Sequence, residues 1–242
     1  MPPPRPQTLL ATATNPAATP AAEPTTLADQ AYAQLKHLIF DFALMPGDRC
    51  SESELAQRLA VSRTPLRQAL QRLEREGFLQ VLPRLGWQVA PLDFDTFDEL
   101  YDLRILIECH AVQRLAEAEQ RPTLATLAEL WLTPAAERLA DSAAVGSADE
   151  QFHSLLVQGS GNREMARVHR EITERIRIIR RLDFTKPARV DATYDEHAGI
   201  LRAITRRRGD EAQRLLRAHI TQSKTEVRHI TLDMLYRARR QP

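Results

Sequence analysis

The stretch Leu55-Ala56-Gln57-Arg58-Leu59-Ala60-Val61-Ser62-Arg63-Thr64-Pro65-Leu66-Arg67-Gln68-Ala69-Leu70, completed by Leu73-Glu74-Arg75-Glu76-Gly77, decides the fold of the N-terminal part of this chain. At 100° per residue, the part after Ser62 puts Leu66, Ala69, Leu70 and Leu73 on one side of a helix. Arg63, Thr64, Arg67, Gln71 and Arg75 then fall on the other side. Ser62 is the type of residue that caps a helix, Pro65 is tolerated in a first turn, and Gly77 closes the element. Just upstream, Ser51-Glu52-Ser53-Glu54 has capping-box spacing and predicts a short helix that ends near Ala60.

Working outward, an earlier helix is predicted from the stripe Tyr32, Leu35, Leu38, Ile39 and Phe42, ended by Met45-Pro46-Gly47-Asp48. Downstream, the β-prone runs Phe78 to Leu82 and Trp87 to Ala90 flank Pro83-Arg84-Leu85-Gly86, which reads as a hairpin and its turn. Helix, helix, turn, helix and hairpin spell a winged helix-turn-helix over residues 27–92. Its third helix offers a basic arc to duplex DNA, with Arg63 and Arg67 as base readers, because a guanidinium can bond O6 and N7 of guanine together. Over Leu27 to Leu92 there are eight Lys/Arg against seven Asp/Glu, so the signal is charge gathered on one helix, not an excess over the domain.

Bulk composition bounds the rest. The 242 residues suffice for two ordinary domains, and 33 basic against 32 acidic residues give no whole-molecule attraction to nucleic acid. Two cysteines, Cys50 and Cys109, make neither a disulfide framework nor a CxxC pair and suit a reducing cytoplasm. No run approaches the ~20 apolar residues of a membrane span, and no apolar signal core opens the chain, so a cytoplasmic location without membrane contact is expected. Residues 1–26, rich in Pro, Ala and Thr, read as a disordered tail.

Beyond Pro91 the strand signals stop, and residues 93–238 read as an all-α antiparallel bundle. Helices are predicted over 95–118, 123–140, 147–158, 162–182, 188–207 and 210–238, so the whole chain is of the mainly α class. The first has an inward stripe of Phe97, Leu100, Tyr101, Arg104, Glu108, Ala111 and Leu115. A charged pair within apolar positions needs partners. It is either a structural Arg104–Glu108 pair at i, i+4, or an Arg104 that holds an effector carboxylate, or both.

Asp149 and His153, four apart, share one helix face. His197 sits mid-stripe among Val190, Tyr194, Ile200, Leu201 and Ile204, and His219 among Ala212, Leu215, Leu216 and Ile230. A lone inward histidine is usually a hydrogen-bonded core residue, but three, with an aspartate, on three helices favour convergence on a metal ion.

Residues 55–77 closely resemble the signature of the GntR family of transcription regulators. The resemblance implies that Arg63 and Arg67 contact an operator, that Ser62 and Thr64 hold phosphates, and that the wing at Arg84 and Gly86 enters the adjacent minor groove. The chain departs from the common pattern at Ser53, where some relatives carry arginine, at Gln68 in place of an acidic residue, and at Ala60 in place of glycine. Asp149-x-x-Phe152-His153, Gly161-Asn162, Glu196-His197 and Gly209-Asp210 leading to His219 resemble the FCD effector domain of the FadR subfamily. The intervals of 44 and 22 residues between the histidines, with Tyr101-x-x-Arg104, suit its metal-binding branch. This implies Asp149, His153, His197 and His219 as ligands of a divalent ion, zinc by expectation with nickel or manganese as alternatives. A homodimer on a palindromic operator, a repressor role and a small carboxylic or sugar-acid effector follow as expectations. With no HExxH and no Gly-x-Ser-x-Gly, a metal-dependent enzyme is the weaker alternative, and a purely structural metal is another.

Overall fold

The computed structural model describes residues 26–139, 141–183 and 187–229. The disordered tail expected for 1–26, apart from Thr26, and the end of the helix expected to reach 238, with Ile230, lie outside the described residues. Thr26 itself belongs to the fold. It is the N-cap of α1 (Leu27–Phe40), where its hydroxyl accepts from the Asp29 amide and the Asp29 carboxylate reaches back.

The N-terminal domain continues through β1 (Arg49–Cys50), α2 (Glu52–Leu59), α3 (Arg63–Arg75), β2 (Leu79–Leu82) and β3 (Gly86–Val89). Ser51 and Glu54 form the expected capping box on α2. Ala60 ends that helix in the left-handed region, with φ of 53°. Ser62 occupies the N-cap position of α3, but its side chain makes no capping hydrogen bond. Leu66, Ala69, Leu70 and Leu73 are buried against Ala31, Leu35 and Ile39 of α1 in one apolar core. The hairpin is antiparallel, with Val81 opposite Trp87 and Leu82 opposite Gly86. The two-residue β1 adds an edge the sequence pattern did not show, pairing Arg49 with Gln88 and Cys50 with Trp87, for a strand order β1-β3-β2.

Six α-helices follow among the described residues: α4 (Phe94–Glu117), α5 (Pro122–Trp131), α6 (Ser142–Gly159), α7 (Arg163–Asp183), α8 (Pro187–Thr205) and α9 (Gly209–Arg228). The helix expected over 123–140 stops at Trp131. Pro134 breaks it, since proline lacks the amide a helix needs there, and only a single 3-10 turn, Ala135–Glu137, follows. Conversely, α6 starts five residues before the expected 147, because Asp141 caps it through the amides of Ala143 and Ala144. Helix α4 is the spine, packed on α6, α7, α8 and α9, and its whole expected stripe is buried. Among the described members of the other stripes, Tyr32, Leu38 and Val190 are partly buried and Leu215 is exposed, at 36%.

Two features join the domains. Lys36 of α1 pairs with Glu174 of α7 at 2.5 Å, and a cavity of about 430 Å³ opens beside the linker, lined by Glu76, Val89, Leu92, Asp93, Phe97 and Arg175 among others. No described helix is long and apolar enough to cross a membrane.

Candidate metal centre and nucleic-acid interface

The structure brings Asp149, His153, His197 and His219 together. Asp149 and His153 come from adjacent turns of α6, His197 from α8 and His219 from α9. One ligand atom from each lies within 4.8 Å of all the others, and all four side chains are buried. The Nε2 atoms of His153 and His219 are 3.1 Å apart, and those of His197 and His219 are 3.3 Å apart. Asp149 Oδ1 stands 3.2 Å from His197 Nε2.

The surroundings decide which way the rings present their lone pairs. His153 donates from Nδ1 to Glu108 Oε2 at 2.5 Å, and His219 donates from Nδ1 to Glu196 Oε2 at 2.6 Å. In the neutral imidazole each such bond leaves Nε2 a bare acceptor, and the two acceptors face each other. Asp149 Oδ1 has no hydrogen-bond donor among the described residues, although the carboxylate is buried; its other oxygen pairs with Arg180 of α7. Converging lone pairs and an orphaned buried carboxylate oxygen are unfavourable unless a cation sits among them. The donor set, three imidazoles and a carboxylate, is one that binds divalent transition metals, and the outer partners Glu108 and Glu196 are the kind that fix the ligating tautomer.

Electrostatics point the same way. Burial pushes His197 well below the usual imidazole range, and it takes His219 down to about 4, so both are neutral and ready to ligate at neutral pH. Burial works against the Asp149 carboxylate, but Arg180 and the imidazoles of His153 and His197 outweigh it and hold the group well below the usual range. His197 lacks an outer hydrogen bond on Nδ1 among the described residues. Its ring is fixed instead by packing, stacked on Phe152 at 3.7 Å between centroids and edge-on to Trp131 at 4.2 Å.

Arg104 lies one shell out. It is buried and donates from Nε to Glu108 Oε1 at 2.5 Å, so the i, i+4 pair is present, while its Nη2 has no partner among the described residues. Glu108 also accepts from His169 of α7 at 2.9 Å. Sequence reasoning missed His169, Arg180 and Arg189. The signal was available for the first two, which interrupt the apolar stripe of Ile172, Ile176 and Ile179 on α7, all of them buried.

On the N-terminal domain, Ser62, Arg63, Thr64 and Arg67 are all exposed along α3, continuous with Gln71 and Arg75. Arg63 donates to Ser53 Oγ at 3.3 Å and Arg67 to Glu52 Oε2 at 2.8 Å, both weak tethers to α2 at the surface. Arg84 sits exposed at the tip of the wing in the left-handed region. Gly86 follows with φ of +96°, and a Cβ there would stand 2.8 Å from the Cys50 carbonyl oxygen, so the return of the wing onto β1 requires glycine.

A family model of the bacterial regulatory proteins of the gntR family matches residues 27–89, and one of the FCD domain matches residues 99–222. The chain belongs to the GntR family. Within it, this regulator is 34% identical to the Nta operon transcriptional regulator of Aminobacter aminovorans, over 76% of this chain and 87% of that one. It is 28% identical to the HTH-type transcriptional regulator YdhC of Bacillus subtilis, over 86% and 94% of the two chains. In fold it resembles the crystal structure of a GntR regulator from Rhodococcus sp. RHA1, with a TM-score of 0.67, 22% identity, and coverage of 84% of this chain and 98% of that one. The FCD domain agrees with the FadR-like subfamily expected from the bundle motifs. The GntR protein is thus a DNA-binding transcription regulator.

Proposed function

We propose that two copies of this GntR regulator bind a palindromic operator as a repressor, released when a small carboxylic or sugar acid binds at a divalent metal in the bundle. Each copy presents one α3 to a half-site, as two-fold symmetry requires. Arg63 and Arg67 read base edges, Ser62 and Thr64 hold phosphates, and Arg84 with Gly86 carries the wing into the minor groove. Asp149, His153, His197 and His219 hold the metal, for which zinc is the first choice and nickel or manganese the others. The metal supplies a Lewis-acidic anchor for a carboxylate oxygen, and the free Nη2 of Arg104 adds a donor. The observation that carries this reading is the buried convergence of four ligand atoms whose lone pairs have no other cation.

A route between the two sites supports it. Helix α7 places Arg180 on Asp149, Arg177 on Glu150 at 2.7 Å and Glu174 on Lys36. Arg177 and Glu174 also pair, at 2.8 Å. Lys36 reaches Glu76 at 3.3 Å, and Glu76 is the C-cap of the DNA-reading helix. An acid that repositions Asp149 relative to α7 therefore acts on α3 through charges in continuous contact. Such coupling requires that the acid bind the DNA-competent and DNA-incompetent arrangements with different affinities.

The test is thermal-shift screening of the zinc-loaded protein against carboxylic acids, followed by operator release with each hit. His197→Ala should lose metal and thermal stability together, and full metal occupancy in that variant would remove His197 from the site. Lys36→Met should keep metal and acid affinity but lose acid-driven release. The complete burial of the four ligands favours a second reading, in which the metal only holds the bundle together. Operator binding that no acid changes would select it.

A further inference from the structure

Around the histidine cluster, three arginines carry donors that nothing in the described structure uses. Arg104 Nη2 on α4, Arg180 Nε on α7 and Arg189 Nε on α8 are buried and without a hydrogen-bond partner among the described residues. Their side chains are only 1%, 7% and 9% exposed. Each is already bound through another nitrogen to one carboxylate: Arg104 to Glu108, Arg180 to Asp149 and Arg189 to Glu196. Guanidiniums and carboxylates therefore balance, and imidazoles that ligate through a bare nitrogen add no charge.

A divalent ion placed in that balanced interior leaves two positive charges uncompensated. Buried charge without a counter-charge is strongly unfavourable, and buried N–H groups without acceptors add to the cost. Resting on the metal-and-acid reading above, we infer that the effector is a dianion and that Arg180 and Arg189, with Arg104, select it for its second charge. A monocarboxylate satisfies the metal but leaves one charge and most of the spare donors unmet. A dianion meets both demands, whether its charge comes from two carboxylates or from a phosphate group. Arg180 comes from α7 and Arg189 from α8, so the spare donors belong to two separate helices.

The experiment uses the full-length protein in two calorimetric steps. Zinc alone is titrated first, and the zinc-loaded protein then receives malonate, succinate and glutarate, each compared with the monocarboxylate of the same carbon number, and inorganic phosphate. At least one diacid should bind at least ~10-fold more tightly than its monoacid partner, as expected for charge-assisted hydrogen bonds. Arg189→Gln and Arg189→Lys should both shrink that preference, with zinc affinity read independently. Phosphate binding as tight as the best diacid would assign the ligand to the phosphate class, and weak phosphate binding would assign it to the diacids. Zinc binding with no diacid preferred over its partner overturns the dianion inference and leaves the proposed function standing. Failure to bind zinc, nickel and manganese alike removes both.

Discussion

Arginine does opposite work in the two halves of the molecule. On α3, Arg63 and Arg67 lie in solvent, each tethered to α2 by a single side-chain bond that DNA can replace. In the bundle, Arg104, Arg180 and Arg189 are buried, each locked to a carboxylate and each keeping a spare donor. An exposed guanidinium costs little to hold and can exchange partners, which suits reading a long polymer. A buried one is costly unless paired, so its geometry is fixed in advance, which suits recognition of one small ion.

The contrast is tested most severely by Glu108→Ala, which strands the buried Arg104 and removes the partner of His153 and His169. A loss of about 3–5 kcal/mol of stability is expected in chemical denaturation, against a change within about 0.5 kcal/mol for Arg67→Ala. A small effect of Glu108→Ala would mean the interior charges are not mutually dependent. Next comes pH. His219 is held near 4 and His197 well below the usual range, so the folded state resists protonation that the unfolded chain accepts near 6.5. Stability of the metal-free protein is therefore full above 6.5 and falls as pH drops from there towards 4, by on the order of 3 kcal/mol for His219. Urea midpoints measured across that window check it, and a flat profile would place both rings in water.

On the exposed side, Arg63→Ala should cost about 1–3 kcal/mol of binding to a specific operator fragment and much less on random duplex. Equal losses on both would make Arg63 a phosphate contact. One further expected change is a gain. Ala60 holds a left-handed conformation that glycine adopts without strain, so Ala60→Gly should raise the melting point by an amount worth about 1 kcal/mol.

Much of this architecture was legible in the sequence because it is written in local periodicity. The two faces of α3, the capping box at Ser51 and the buried stripe of α4 are each set by spacing within one helix. The residues of the histidine cluster could be named because an inward polar residue on an apolar stripe is conspicuous. What was not legible depends on partners far away in the chain. β1 is two residues long and exists only because β3 pairs with it. Arg189 looks like an ordinary solvated arginine until α8 is packed against α9, and the carboxylate that Arg180 meets lies on another helix, 31 residues away. The helix expected to run to 140 shows a different failure, in which Pro134 outweighs the continuing helical pattern.

Phe152 and His153 are neighbours on α6, and they serve different rings: His153 faces His219, while Phe152 is the platform on which His197 lies. A small roll of α6 about its own axis would thus withdraw one imidazole and release another in the same movement. If the proposed metal is held there, its ligands should let go together, and a chelator should strip a zinc-loaded protein in one kinetic phase, with no partly liganded species accumulating.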